Sequence, residues 1–364
     1  MTHYHILKYN NMKKIYSFIA MACLMVMPMF TACSEKGGDE TTPADKTALE
    51  AEIAECQEIL ESAADTYPAY AIEDFQEVLD LVNEALADDN ISQTAVNNLL
   101  AQLQEARETL LATAFEDIPE ENLLLAYDFE SEADPQVSTG SLKYEAALTA
   151  GPELIFGSNT SLPTFVEGVN GGKAISFDNG SHLEISTFDY NAVLKDEFAI
   201  SVWVKPTAIV SGNYVFSINK WNTCKLNIQN EGKPFFTPNL DGTAIDSDNE
   251  TAGSVTTDKW THLVVTISLS KDQMQFFVDG RLTKTWDTEG KPALAGSAWN
   301  IPTDEDHVIY IGTSSSYTPG DSEVAPETWE ANESFNGAID NLKIYDVALS
   351  AGQVSKLYSD ELGK

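Results

Sequence analysis

Asp340 stands where a carboxylate is out of place. It lies in the middle of SFNGAIDNLKIYDVALS, residues 334–350, whose apolar and polar residues alternate as a strand's do. Strand interiors disfavour Asp, so this one needs a cation, a set of N–H donors or water. Asp128 in LLLAYDFES and the Asp178–Asn179 pair in SFDNGSH are further oxygens a cation could use. Catalytic chemistry asks for more than this. No Ser-His-Asp elbow and no HExxH occurs, and the acidic runs DSDNE (246–250) and DEDH (304–307) sit among Asn, Ser, Thr and Gly as loops do. Four Cys and five His form no CxxC or Cys/His cluster of the kind that holds zinc. The residue types point to binding rather than catalysis.

A second set of residues suits sugar chemistry. Sugar rings stack on exposed Trp and Tyr, while Asn, Asp and Gln reach their hydroxyls. Trp221 in NKWNTCK, Trp299 in GSAWNIP, and Tyr317 and Trp329 in SSSYTPGDSEVAPETWEANES lie in polar, Gly- and Pro-rich surroundings. Loops carry function on rigid scaffolds. Taken singly, each reads as a loop anchor; as a group, these four are the candidate ligand contacts.

Two kinds of element must position these residues. Over 47–115, Leu49, Ile53, Cys56 and Leu60 recur at helical spacing, as do Ile72, Phe75, Leu79, Val82 and Leu86, and then Val96, Leu99, Leu103, Ala106 and Leu110. These are three amphipathic helices. Pro68 suits a first helical turn and Ser92 an N-cap. FEDIPEEN then reads as a linker, with residues 116–122 between the helices and the strands. From 123 to 361 the period becomes two. FAISVWVKP, WTHLVVTISLS, QMQFFVDGRLTKTW, HVIYIGTS and GAIDNLKIYD read as strands, with Asp279–Gly280 in a type I′ hairpin turn. Many short strands with little helix predict a mainly β fold, a β-sandwich.

In this order, GGKAISFDNGSHLEI, FAISVWVKP, WTHLVVTISLSKDQMQFFVDGRL, IYIGTSSS and FNGAIDNLKIYDVALSAGQVSKLY resemble the LamG-like, concanavalin A-like lectin/glucanase family. The resemblance implies a jelly roll of two antiparallel sheets, glycan or protein binding, often a structural calcium, and a short closing helix in SAGQVSKLY. It implies that Trp203 and Trp260 pack within the sandwich. Enzymes on this fold carry Glu-x-Asp-x-x-Glu on one strand, and that run is absent here; a glycoside hydrolase with unrecognised carboxylates stays as an alternative, as does a protein-binding adhesin. If the first and last strands pair as in this fold, Asp128 and Asp340 come together. Like charges in contact need a cation or a lysine between them. Ca2+ held by Asp128, Asp340, Asp178 and Asn179 is one expectation; a hydrogen-bonded Asp340 is the other. Lys343 is the rival cation, although strand alternation points it to the opposite face from Asp340. The helical segment 47–115 resembles the FIVAR-type module of bacterial surface proteins, whose simplest role is a spacer.

The first 32 residues read as an address. Met12-Lys13-Lys14 opens an apolar run, IYSFIAMACLMVMPMF, too short to span a membrane. FTAC then places small residues before Cys33 and resembles a bacterial lipobox, which implies lipid on Cys33. The polar stretch from 33 to 46 is a flexible tether. These features imply an outer-membrane lipoprotein exposed at the cell surface, held by its lipid alone and acting beside glycan-uptake proteins. The chain carries 21 basic and 57 acidic residues, a net −36. Such a surface excludes nucleic acid and anionic lipid as partners and suits neutral extracellular glycan or cations.

Overall fold

The structure, a computed structural model, describes residues 43–303, 308–315, 317 and 334–363. Its first part is helical: α1 (Thr47–Glu61), α2 (Ala69–Leu86) and α3 (Gln93–Leu111). Leu49, Ile53, Cys56, Phe75, Leu79, Val82, Val96, Leu103 and Leu110 are buried between them. Leu60, Ile72, Leu86, Leu99 and Ala106 flank this core half-buried. Pro68 immediately precedes α2 in an extended conformation, and the Ser92 side chain caps α3 by accepting from the Ala95 amide at 3.2 Å. Glu52 is buried on α1, where a carboxylate needs a partner; Arg107 of α3 supplies it at 2.9 Å.

The rest is two antiparallel sheets. The first has eight strands: β1 (Leu123–Tyr127), β4 (Thr164–Glu167), β5 (Lys173–Phe177), β7 (Glu197–Pro206), β13 (Thr261–Ser268), β14 (Gln273–Val278), β15 (Arg281–Trp286) and β17 (Gly337–Tyr345). They run in the order β15-β14-β13-β7-β17-β5-β4, with β1 also paired to β17. The second has nine: β2 (Gln136–Val137), β3 (Glu145–Thr149), β6 (His182–Ile185), β8 (Asn213–Ile218), β9 (Cys224–Gln229), β10 (Lys233–Leu240), β11 (Thr243–Ala244), β12 (Ser247–Asp248) and β16 (Ile309–Ile311). Their order is β11-β10-β9-β8-β16-β6-β3-β2, with β12 on β10. Between the sheets lies one apolar core, to which Ile175, Phe198, Ile200, Val202, Phe216, Leu226, Phe236, Leu263, Ile309, Ile339 and Ile344 contribute. This is the jelly-roll arrangement of a concanavalin A-like fold, preceded by three helices.

One outward face is covered. The C-terminal helix α4 (Ala351–Glu361) starts with a capping box between Ser350 and Gln353. It lays Val354 and Leu357 on Ala199, Val264, Phe277 and Tyr345 of the first sheet, so β7 is buried on both sides. Trp203 belongs to this outer layer and not to the space between the sheets. Its ring stacks on Tyr358 at 5.4 Å between centroids, and its Nε1 donates to Glu361 at 2.5 Å. The alternation of β7 explains the shift: Val202 and Val204 face the inter-sheet core, which turns Trp203 away from it. Trp260 lies half-buried just before β13, with Lys205 Nζ 5.9 Å from its ring centroid.

The helical part docks on the same side. Asp279 and Gly280 have φ of 49° and 79°, the left-handed pair a type I′ turn requires. The Gly280 carbonyl accepts from Tyr70 Oη of α2 (3.3 Å) and from Ser355 Oγ of α4 (3.0 Å). Arg281 lies 4.6 Å over the Tyr70 ring and pairs with Asp74. One hairpin turn thus holds a helix from each end of the chain.

Candidate functional site

The second sheet's outward face carries a polar row fixed by strand register. Glu184 of β6 stands opposite Tyr310 of β16, Tyr310 opposite Ser217 of β8, Ser217 opposite Lys225 of β9, and Lys225 opposite Thr237 of β10. Their sequence neighbours Ile309, Ile311, Ile218, Leu226 and Phe236 point into the core, so alternation sends the row outward. Beside it run Tyr214, Asn227 and Phe235, with Tyr214 paired to Asn227 and Asn227 to Phe235. Hydrogen bonds order its margins: His182 with Glu184 Oε1 at 2.9 Å, and Thr237 Oγ1 donating to Asp246 Oδ1 at 2.7 Å.

Trp221 sits at the end of this face, in the turn between β8 and β9. Asn219 and Lys220 take left-handed φ of 50° and 45° there. Asn239 Nδ2 ties the turn to β10 by donating to the Trp221 carbonyl at 2.7 Å. The side chain is 47 % exposed, the one exposed tryptophan among the five described. Lys225 lies beneath: its Nζ is 4.8 Å from the Phe235 centroid and 5.5 Å from those of Tyr214 and Trp221, and it donates to Asn227 Oδ1 at 3.2 Å. Ammonium groups over aromatic faces are attractive, so the lysine braces the ring from the sheet side. Nothing in the loop composition singles out Lys225, Tyr310 or Glu184. The signal was the alternation in CKLNIQ, where Lys225 and Asn227 interrupt Cys224, Leu226 and Ile228.

The other named aromatics fall elsewhere. Trp299 is half-buried against the core, edge-on to Phe198 at 5.6 Å, with Nε1 donating to the Lys195 carbonyl at 2.8 Å; it anchors its loop. Tyr317 is half-buried. Trp329, Cys33 and the acidic run 304–307 lie outside the described residues.

Asp340 is 2 % exposed. Its Oδ2 accepts from the Val169 amide at 2.9 Å, while Oδ1 is buried without a donor. Burial pushes its pKa up to about 6 against the pull of the Val169 and Asn341 amides, and the charges of Glu130 and Glu361 add to the rise. Lys343 does not face the other way. A bulge between Asp340 and Lys343, with Asn341 at φ 46°, resets the alternation. Ile339, Leu342 and Ile344 all reach the core, and both Asp340 and Lys343 point outward. Lys343 Nζ then pairs with Glu361 at 2.5 Å.

The four named calcium ligands are not brought to one point. Tyr127 stands opposite Leu342, which puts Asp128 level with the Asp340 bulge, exposed at the end of β1. Phe177 stands opposite Gly337, so Asp178 and Asn179 lie beyond the far end of that pairing, where the Asn179 amide donates to Asp178 at 3.0 Å. Among the described residues, no three His, Cys, Asp or Glu side chains are grouped to hold a metal ion.

Under α4 lies a Ser, His and carboxylate set that the sequence hid. Ser201 Oγ is 2.8 Å from His262 Nε2, and Glu361 Oε2 is 3.7 Å from the same nitrogen. A nucleophilic triad needs the acid on the other nitrogen, and here Nδ1 has no partner. His262 is fully buried, and burial lowers its pKa to about 4 despite Glu361. This network fastens α4 and cannot meet a substrate.

Residues 177–355 match the family model Laminin_G_3 of the concanavalin A-like lectin/glucanases superfamily. Curated proteins gave no match. Among solved structures, the chain is similar to domain 4 of AbnA, a GH43 extracellular arabinanase from Geobacillus stearothermophilus in complex with arabinotriose. That match has 18 % identity and a TM-score of 0.45 over 65 % of this chain and 98 % of that one. It is also similar to the binding domain of Paraclostridial Mosquitocidal Protein 1, with 14 % identity and a TM-score of 0.47 over 66 % of this chain and 52 % of that one. The chain spans about half the length of that toxin domain.

Proposed function

We propose that the protein is a non-catalytic surface lipoprotein that binds extracellular glycan on the outward face of its second sheet, with Trp221 as the stacking contact. The observation that carries this is the exposure of Trp221 at the end of a polar row, on the sheet face that α4 leaves alone. Ser217, Lys225, Asn227 and Thr237 lie buried beneath it, at 3 % exposure or less, so Trp221 is the contact that reaches the ligand, and α1–α3 serve as the spacer. Lipid on Cys33 attaches the whole to the outer membrane, beside proteins that take glycan up. A glycan array on the purified chain tests the binding claim. Hits should lose signal with Trp221→Ala, and release of reducing sugar from those hits would mark an enzyme instead. Mass spectrometry of the mature protein should find lipid on Cys33; an unlipidated N-terminus at Ser34 or later contradicts the anchor.

The unpartnered Oδ1 of Asp340 favours one addition. A structural Ca2+ would be held there by Asp340 and Asp128 with backbone carbonyls, and would supply the positive charge that this buried carboxylate lacks.

A further inference from the structure

On the outer side of the first sheet, where the linker before β1 meets α4, there is a cleft of about 220 Å³. Its lining is apolar at Ile118, Leu123, Tyr345 and Leu357. Leu123 stands opposite Tyr345 in the β1–β17 pairing, and Ile118, Leu123 and Leu357 pack in the cluster that holds Tyr345. The linker wall is fixed in place. Ser350 Oγ donates to Glu116 Oε2 at 2.8 Å and Gln353 Nε2 to the Asp117 carbonyl at 3.4 Å. Gly352 sits so close to the linker that a Cβ there would come within 2.0 Å of the Ala114 carbonyl oxygen. The mouth is acidic: Glu116, Asp117, Glu120 and Asp360 face one cation, Lys356. Lys356 is already engaged by Asp117 at 3.4 Å and Asp360 at 2.7 Å, and Glu120 pairs with no cation among the described residues.

Tyr345 points to what the cleft receives. The residue is 3 % exposed. Its hydroxyl is not sealed in by the fold, yet it bonds to no described residue. Burial pushes its pKa up and the charge of Glu361 adds to the rise, so the group stays a neutral phenol with a lone pair for an N–H donor. A buried polar group ordinarily has a partner, and this one faces a lined cleft. We infer that the cleft takes an aliphatic ammonium or guanidinium group, the chemistry of a lysine or arginine side chain or of a free diamine. The stem lies on Ile118, Leu123 and Leu357, and the head meets Tyr345 Oη and the Glu120 carboxylate. An anion would be repelled by four carboxylates, and an apolar ligand would leave the phenol unpaired. A metal ion needs its ligands at one point, and among the described residues no such group of carboxylates forms. Drug-sized ligands use roughly 300–1,000 Å³; this smaller cleft suits one unbranched chain, which buries its methylenes and keeps its charge at the mouth. Trp221 belongs to the other sheet's outward face, so this site does not rest on the glycan reading.

The test is an NMR titration of the full chain that follows the backbone amides of 116–123 and 353–360. Lysine blocked as its Nα-acetyl methylamide and cadaverine represent the side-chain and free sources, and the Nε-acetylated blocked lysine represents the uncharged stem. At least one of the two cations should shift these amides saturably and bind about tenfold more tightly than the acetylated form, with the gap shrinking at high salt. Binding of blocked lysine alone assigns the ligand to a protein side chain; binding of cadaverine alone assigns it to a free diamine. Calcium chloride should not compete. Glu120→Gln and Tyr345→Phe should each weaken cation binding about threefold or more. Tyr345→Phe should melt as wild type does, because the hydroxyl holds nothing in the fold. Equal binding of charged and acetylated forms, shifts confined to other amides, or full affinity in both variants would overturn the site.

Discussion

Asp340 is an anion in a place that penalises anions. With its pKa pushed up to about 6 by burial, the native state holds a proton between about pH 4 and 6 that the unfolded chain has released. Asp340 therefore lowers stability as pH rises through that window, by on the order of 3 kcal/mol. His262 acts in the opposite sense. Its pKa of about 4 makes the native state lose stability as pH falls from about 6.5 to 4. The two slopes oppose one another in the wild type. In chelator, Asp340→Asn should melt several degrees higher than wild type at pH 8, with the gap closing toward pH 4, and in the mutant the His262 slope stands alone. Equal melts at pH 8 would show that Asp340 carries no penalty. If Ca2+ is held there, chelator should lower the wild-type melt and leave Asp340→Asn unmoved, since a ligand of the folded state alone stabilises by mass action. No effect of chelator on either protein would make the Val169 amide the whole answer to the misplaced carboxylate. The oddity of Asp340 was legible in its strand pattern. The side of the sheet on which Lys343 lies was not, because a bulge at Asn341 leaves no mark on apolar periodicity.

Among the elements, the β14–β15 hairpin does more than turn the chain. A Cβ on Gly280 would meet the Tyr358 ring at 3.0 Å, and its φ is 79°. Gly242 has the same φ with open space around it. Gly242→Ala should cost about 1 kcal/mol, the strain of a left-handed residue. Gly280→Ala should cost about twice that, because it also shifts α4. Equal losses in denaturant melts would mean the turn and α4 do not support each other. The helices and strands were readable from spacings of three, four and two, and the type I′ turn from Asp-Gly. The docking of α2 on that turn was not. It depends on Tyr70, Asp74 and Arg281, ordinary surface types whose meeting is set by the packing of distant segments. Trp203 shows the same limit: a strand's alternation gives two faces, but not which of them a later helix will cover.

At the scale of the whole molecule, one sandwich offers two outward faces and the chain treats them differently. The first is covered by α4 and the approach to β1; the second bears a polar row that is itself buried and, at its end, an exposed indole. Loop aromatics in the sequence pointed to Trp221, but with equal force to Trp299, which the fold uses as an anchor. The place of Lys225 behind Trp221 became visible only once the register set β8 beside β9. The central claim is that Trp221 contacts a glycan, and an indole at the centre of a binding site commonly contributes about 2 kcal/mol or more. The most direct measurement is calorimetric titration of wild type and Trp221→Ala with the strongest array hit, each first shown to melt alike. The account predicts at least a tenfold loss of affinity in Trp221→Ala, and a loss of stability rather than affinity in Trp299→Ala. Wild-type affinity in a well-folded Trp221→Ala would place the binding site elsewhere.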